Sequence, residues 1–158
     1  MVNIALVGCN GKMGKAVTSA VQSRNDCEIV FGADPFGTPA YDYPVFESLA
    51  VSDKKADVII DFSNPASLDD ILAYALEKKI PCVLCTTGYS PEQVEKIKKA
   101  SESVAVFYSG NMSLGINLLI ELSKEAAKIL SAADFDIEIV EKHHNQKIDA
   151  PSGTALMI

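Results

Sequence analysis

The sequence predicts an α/β protein built on a parallel sheet with helices on its faces, and three observations carry that expectation. Short β-rich runs alternate with helical stretches along most of the chain. The first apolar run, Ile4-Ala5-Leu6-Val7, ends in a glycine-rich turn that opens a helical stretch. An acidic residue, Asp34, closes the second apolar run. Strands are expected at Val2 to Val7, Glu28 to Ala33, Asp57 to Asp61, Pro81 to Cys85 and Val104 to Tyr108. Helices are expected over Lys12 to Ser23, Pro65 to Lys78, Pro91 to Glu102 and Leu114 to Ser131. Two of them show their starts, because Asn64-Pro65 and Ser90-Pro91 each set a capping side chain before a proline at the first helical position. A sixth extended run, Phe135 to Lys142, alternates Phe135, Ile137 and Ile139 with Asp136 and Glu138, the pattern of a strand with one wet face.

Composition narrows the function. A chain of 158 residues holds one domain with a sizeable core, or one domain and part of another. Its net charge of -7 argues against nucleic acid or an anionic membrane as the main partner. The N-terminus lacks the basic and long apolar regions of a signal peptide, and no run reaches the length of a bilayer, so a cytoplasmic protein is expected. Four cysteines include a C-x-x-C pair, Cys82 and Cys85. Positions three apart on a strand face opposite ways, and no second ligand pair stands at zinc spacing, so these read as reduced core thiols and no metal site is expected.

The turn after the first strand, Gly8-Cys9-Asn10-Gly11-Lys12-Met13-Gly14, is a variant of the dinucleotide fingerprint. Glycines there permit a tight turn, let backbone approach a pyrophosphate and let the helix pack closely on the strand. Gly8, Asn10, Gly11, Lys12, Met13 and Gly14 are accordingly candidate cofactor residues. Asp34, twenty residues beyond Gly14, is placed to accept hydrogen bonds from an adenosine ribose. It is followed by Pro35 rather than by an arginine able to neutralise a 2′-phosphate, which favours NADH over NADPH electrostatically, with Lys12 and Lys15 as opposing charges. An ATP loop of the Walker type fits less well, since no Ser or Thr follows Gly11-Lys12. The expected fold is therefore a Rossmann-like, doubly wound parallel sheet.

Near the other end stand both histidines of the chain, in Glu141-Lys142-His143-His144-Asn145-Gln146-Lys147-Ile148-Asp149-Ala150-Pro151-Ser152-Gly153-Thr154-Ala155. Imidazoles exchange protons near neutral pH, lysines are compact positive charges, and free amides at a helix entrance bind carboxylates. A proton donor beside an anion clamp suggests an enzyme acting on a small carboxylate-bearing substrate. A solvated basic loop before a capped helix is the plainer alternative.

With both motifs in one chain, the sequence resembles the 4-hydroxy-tetrahydrodipicolinate reductase (dihydrodipicolinate reductase) family of the lysine and diaminopimelate pathway. Asp61-Phe62-Ser63 resembles the family's segment after its third main strand. Thr86-Thr87-Gly88 resembles its turn beside the nicotinamide, with Cys85 where the family usually has glycine, and Ser109-Gly110-Asn111-Met112-Ser113 resembles its loop into the substrate domain. The resemblance implies reduction of a cyclic imine-type dicarboxylate by NADH or NADPH. It adds Cys85, Thr86, Thr87, Ser109, Asn111 and Met112 to the cofactor residues. It implies His143 as general acid, Lys147 and His144 as partners of the substrate carboxylates, and the Ser152-Gly153-Thr154 entrance as the carboxylate clamp, with Gly153 and Thr154 giving backbone donors. The implied organisation is a dinucleotide-binding domain over residues 1–112 and a truncated α+β substrate-binding domain over 113–158, because members of the family continue beyond Ile158. A lone strand cannot satisfy its own backbone, so a homo-oligomer joined through residues 135–142 is expected, with exchange of the substrate-domain remnant as one geometry and a chain cut short as the bland alternative. A non-catalytic dinucleotide-binding relative, or a different oxidoreductase on the same fold, are the competing functions; the second leaves the His-His-x-x-Lys segment unexplained.

Overall fold

The computed structural model describes residues 1–36, 41–145 and 150–158, which fold as two compact units, Met1–Tyr108 and Ser109–Ile158. The first unit is a six-stranded, all-parallel sheet. Its strands are β1 (Val2–Val7), β2 (Cys27–Ala33), β3 (Val45–Phe46), β4 (Val58–Asp61), β5 (Cys82–Leu84) and β6 (Val106–Tyr108), in the order β3-β2-β1-β4-β5-β6. Helices α1 (Lys12–Gln22), α2 (Leu68–Lys78) and α3 (Pro91–Ser101) lie between successive strands.

Alternation along the central strand separates two cores. Ala5 and Val7 of β1 join Phe31, Ile59, Leu84 and the apolar sides of α2 and α3, while Ile4 and Leu6 pack with Ile29, Val17 and Val21 on the side of α1. Burial on both faces explains why these strands read as continuous apolar runs. The pairing of β1 with β2 slips by one residue between Ile4 and Ala5, an irregularity that leaves Val30 without a partner on β1.

Local chemistry sets the helix ends. Ser90 and Gln93 form a reciprocal capping box ahead of Pro91, as the Ser-Pro pair predicts. Asn64 caps Ala66, but the turn it starts, Pro65–Ser67, is a 3-10 turn, and the α-helix begins only at Leu68. At the far end of α2, Lys79 takes a left-handed conformation (φ 55°) and the Ile80 amide returns to the Ala75 carbonyl at 3.1 Å. The two-residue strand β3 has no counterpart in the sequence reading, which is too short a run to show periodicity.

The second unit holds helix α4 (Leu114–Ser131), capped by Ser113 at its start and closed by Asp134 with φ 65°, and the short helix α5 (Gly153–Met157). The strand expected over Phe135 to Lys142 is not formed: these residues carry no regular structure, and Phe135, Ile137, Ile139 and Val140 are all exposed. Alternation alone cannot make a strand, because a strand exists only through ladder hydrogen bonds to a neighbour, and no described segment pairs with this one. No helix among the described residues is long and apolar enough to cross a membrane.

The four cysteines are free. Burial pushes the thiols of Cys9, Cys82 and Cys85 up to about 11, helped by the charges of Asp34 near Cys9 and Asp61 near the other two. At pH 8 such a thiol is thiolate about one part in a thousand, and the thiolate is the reactive form. Alkylation of these three cysteines in the native protein is therefore expected to be far slower than in urea, and to rise about tenfold per pH unit towards pH 11. Peptide mapping by mass spectrometry measures this; equal native and unfolded rates at pH 8 would contradict it.

Candidate functional site: a glycine-floored cleft and a histidine segment

An open cleft of about 770 Å³ lies at the C-terminal edge of the sheet, between the neighbouring strands β1 and β4, where the strand order reverses. In parallel sheets such a reversal is where the connections that leave the two neighbouring strands run to opposite faces and leave a crevice. Gly8 and Gly11 floor it, Asp34 and Phe36 form the wall beyond β2, and Phe62, Ser63 and Asn64 form the wall beyond β4.

The floor admits no side chain at its first position. Gly8 has φ +76°, and a Cβ there would lie 2.5 Å from the Phe62 carbonyl oxygen. Gly14, in the first turn of α1, packs so closely that a Cβ would collide with the Gly8 carbonyl oxygen. The turn is tied to its neighbours by backbone bonds from Gly8 N–H to Ala33 O at 2.9 Å and from Phe62 N–H to Val7 O at 3.0 Å. Gly11 is the N-cap of α1 and offers no side chain to its first turn, so that turn is left to a ligand or water.

Asp34 holds this loop as well as facing the cleft. One carboxylate oxygen accepts the Asn10 amide and the other the Phe36 amide, each at 3.0 Å. Behind the loop, the Tyr41 hydroxyl donates to the Cys9 carbonyl at 2.8 Å, and its ring stacks on Tyr43 with centroids 4.8 Å apart. Among the lining residues the ionisable ones are Asp34, Glu47 and Asp70, and no Lys, Arg or His is described there. Lys12 and Met13 are exposed on the first turn of α1.

A second set of residues follows β5. Thr86 is buried and its hydroxyl accepts the Ser63 amide at 3.0 Å, while Thr87 is exposed. Asp61, fully buried, accepts the Ser63 amide and hydroxyl and the Tyr89 hydroxyl, the last at 3.0 Å. Burial and the Asp61 charge push the Tyr89 phenol well above its ordinary range, so it stays a donor. Each lost donor to such a buried carboxylate costs about 1–3 kcal/mol.

The histidine segment belongs to the second unit. His143 Nδ1 stands 3.6 Å from a Glu141 oxygen, and the other Glu141 oxygen accepts the Ser152 amide at 2.8 Å. Ser152 is buried and caps α5 through the Ala155 amide at 3.1 Å. Asn111 donates to the Thr154 hydroxyl at 2.9 Å, which joins the 109–113 loop to the start of α5. Ser109 and Asn111 also bond to each other within that loop, and Met112 is exposed. Lys147 lies outside the described residues. Glu141 and Asn111 thus bring Ser152, Thr154 and His143 into one neighbourhood; Glu141 was not singled out by the sequence, where it is one acid in an acidic run. Phe36, Glu47 and Asp61 were likewise given no role there, although Asp61-Phe62-Ser63 is marked by its place directly after a strand. No group of three or more His, Cys, Asp or Glu that could hold a metal ion occurs among the described residues.

Topology and glycine floor together define a Rossmann-type α/β domain with an open cleft at its switch point. Comparison with known proteins carries this further. Family profiles described as "Dihydrodipicolinate reductase, N-terminus" and "Dihydrodipicolinate reductase, C-terminus" match residues 2–112 and 115–158. The 4-hydroxy-tetrahydrodipicolinate reductase of Clostridium tetani (strain Massachusetts / E88) is 52% identical over 158 residues, all of this chain and 62% of that relative. The enzyme of the same name from Caldanaerobacter subterraneus subsp. tengcongensis is 49% identical over the same span, again 62% of its length. Among solved structures, a dipicolinate-bound dihydrodipicolinate reductase from Paenisporosarcina sp. TG-14 superposes with a TM-score of 0.74 at 30% identity, covering 99% of this chain and 63% of that one. A dehydrogenase from Chromobacterium violaceum, at 18% identity and a TM-score of 0.61 over 77% of this chain and 40% of its own, shares the fold alone. The chain belongs to the dihydrodipicolinate reductase family, and spans about 62% of the length of the curated relatives it matches.

Two substitutions probe the cleft. Gly8→Ala places a methyl group against the Phe62 carbonyl at a positive φ, and is expected to lower stability by about 1–3 kcal/mol and to abolish NADH binding in a fluorescence titration. Asp34→Ala removes the carboxylate that accepts the Asn10 and Phe36 amides at the cleft wall, and is expected to lower NADH affinity by about tenfold or more. Unchanged affinity in Asp34→Ala would remove this wall from the cofactor site.

Proposed function

We propose that the protein takes part in NAD(P)H-dependent reduction of a cyclic dihydrodipicolinate-type dicarboxylate, the 4-hydroxy-tetrahydrodipicolinate reductase reaction of lysine and diaminopimelate biosynthesis. The observation that carries this reading is the cleft between the ends of β1 and β4, with a glycine floor that only backbone can line and a carboxylate wall at Asp34. Support comes from relatives of that name and from a solved relative that holds dipicolinate, a planar ring dicarboxylate.

The glycine cradle fits a dinucleotide: Gly8, Gly11 and the first turn of α1 (Lys12, Met13, Gly14) hold the pyrophosphate, with Asn10 kept in place by Asp34. Asp34 accepts the adenosine ribose, and Cys85, Thr86, Thr87, Ser109, Asn111 and Met112 complete the cofactor residues. A reduced nicotinamide supplies a hydride when bound. NADH is the preferred form in this reading, because a 2′-phosphate would meet Asp34, Glu47 and Asp70 with no lining cation described.

On the substrate side, His143 delivers the proton that balances the incoming hydride. His144 and Lys147 pair with the substrate carboxylates, and Gly153 and Thr154 receive one carboxylate through their amides. Ser152 orders that entrance as its cap while its own amide is taken by Glu141. We assign nucleotide work to residues 1–112 and substrate work to 113–158, in a cytoplasmic homo-oligomer. Exposure of Phe135, Ile137 and Ile139 supports pairing of the 135–142 segment with other copies.

The test is loss of NADH absorbance with freshly generated substrate precursor. His143→Ala is expected to lower turnover by about a hundredfold with NADH affinity unchanged, since a general acid contributes roughly that much. Lys147→Ala should act mainly on substrate KM. Equal activity in wild type and both variants would sink the roles, and NADH binding without turnover in wild type would favour a non-catalytic relative.

A further inference from the structure

The turn between β5 and α3, Cys85 to Tyr89, is attached at both ends to a single residue of the neighbouring strand. The Cys85 amide donates to the Asp61 backbone carbonyl at 2.9 Å, and the Tyr89 hydroxyl donates to the Asp61 carboxylate at 3.0 Å. Between these points lie Thr86, Thr87 and Gly88, the last with φ +83°. The same carboxylate accepts the amide and hydroxyl of Ser63, and the Ser63 amide also reaches the Thr86 hydroxyl at 3.0 Å. Ser63 lines the cleft. Beyond the turn, the Tyr89 ring meets Tyr108 of β6 edge-on with centroids 5.5 Å apart.

Asp61 is fully buried and forms no ion pair among the described residues. A buried carboxylate held only by neutral donors is a costly way to join two loops. An apolar contact would join them with less precision of direction, since hydrogen bonds fix angles as well as distance.

A dinucleotide in this crevice runs from the β2 side, where its adenosine half meets Asp34, across the glycine turn to the β4–β5 side. We propose that Asp61 is a positioning residue for the nicotinamide-ribose half: by stapling both ends of the Cys85–Tyr89 turn it fixes the wall that this half meets. The inference rests on the dinucleotide reading of the cleft, and on nothing in the second unit.

NADH and ADP-ribose separate the two halves, because ADP-ribose keeps the adenosine and pyrophosphate and lacks the nicotinamide. Titrations of wild type, Tyr89→Phe and Asp61→Asn with each ligand, on protein shown by thermal unfolding to be folded, make the test. Tyr89→Phe cuts the staple and is expected to weaken NADH by about tenfold, the scale of one buried hydrogen bond, while ADP-ribose changes by less than about twofold. Asp61→Asn keeps an oxygen for Ser63 and turns an amide donor to the Tyr89 oxygen, so NADH affinity should stay within about threefold of wild type. An unchanged ratio of NADH to ADP-ribose affinity in Tyr89→Phe, whether both weaken or neither does, overturns the proposal. Wild type that binds neither ligand overturns the dinucleotide reading itself, and this inference with it.

Discussion

The contact on which the first unit depends is backbone against backbone: the Gly8 turn lies directly against the Phe62 carbonyl, with no room for a single Cβ between them. That approach lets the ends of β1 and β4 sit side by side while the connections that follow them leave in different directions. Gly14 against the Gly8 carbonyl repeats the constraint one turn later and brings α1 down onto the strand. The cleft is the space left over by these two approaches. Its floor is made of backbone because nothing larger fits there, and free amides at a helix entrance are suited to anions.

Around that contact the remaining polar groups serve as ties. Asp34 uses hydrogen-bonding capacity on Asn10 and Phe36 yet keeps further lone pairs for a donor in the cleft. Tyr41 holds the turn from behind through the Cys9 carbonyl. Asp61 does the same for the two loops beyond β4 and β5. Asp34 and Asp61 stand at the ends of β2 and β4 and Tyr41 in the segment before β3, so the cleft is held in shape from several sides rather than by any one loop. The second unit uses the same device on a smaller scale, with Glu141 and Asn111 reaching the start of α5.

What could be read from the sequence follows from the range of the interactions involved. The parallel order, the glycine turn and the cap at Ser90 are local in sequence, and periodicity, φ preference and capping chemistry act over a few residues. Strand β3 escaped because two residues show no alternation, and its existence depends on Gly32 and Ala33 lying beside it. The Asp61–Tyr89 bond spans 28 residues, and no local pattern announces it. The opposite error occurs at 135–142, where alternation is clear but the partner that would make it a strand is absent from the described residues. Of the candidate site, Gly8, Gly11 and Asp34 were legible as motif and line one cleft, whereas Phe36, Glu47 and Ser63 reach it only through folding.

Amide hydrogen exchange with and without NADH tests the central claim most directly, because it reads the backbone that forms the floor. The account predicts slowed exchange in residues 8–14 and 62–67, on the two sides of the Gly8–Phe62 contact, with the first strand core unchanged. Slowing confined to other segments, or none under saturating NADH, would contradict it.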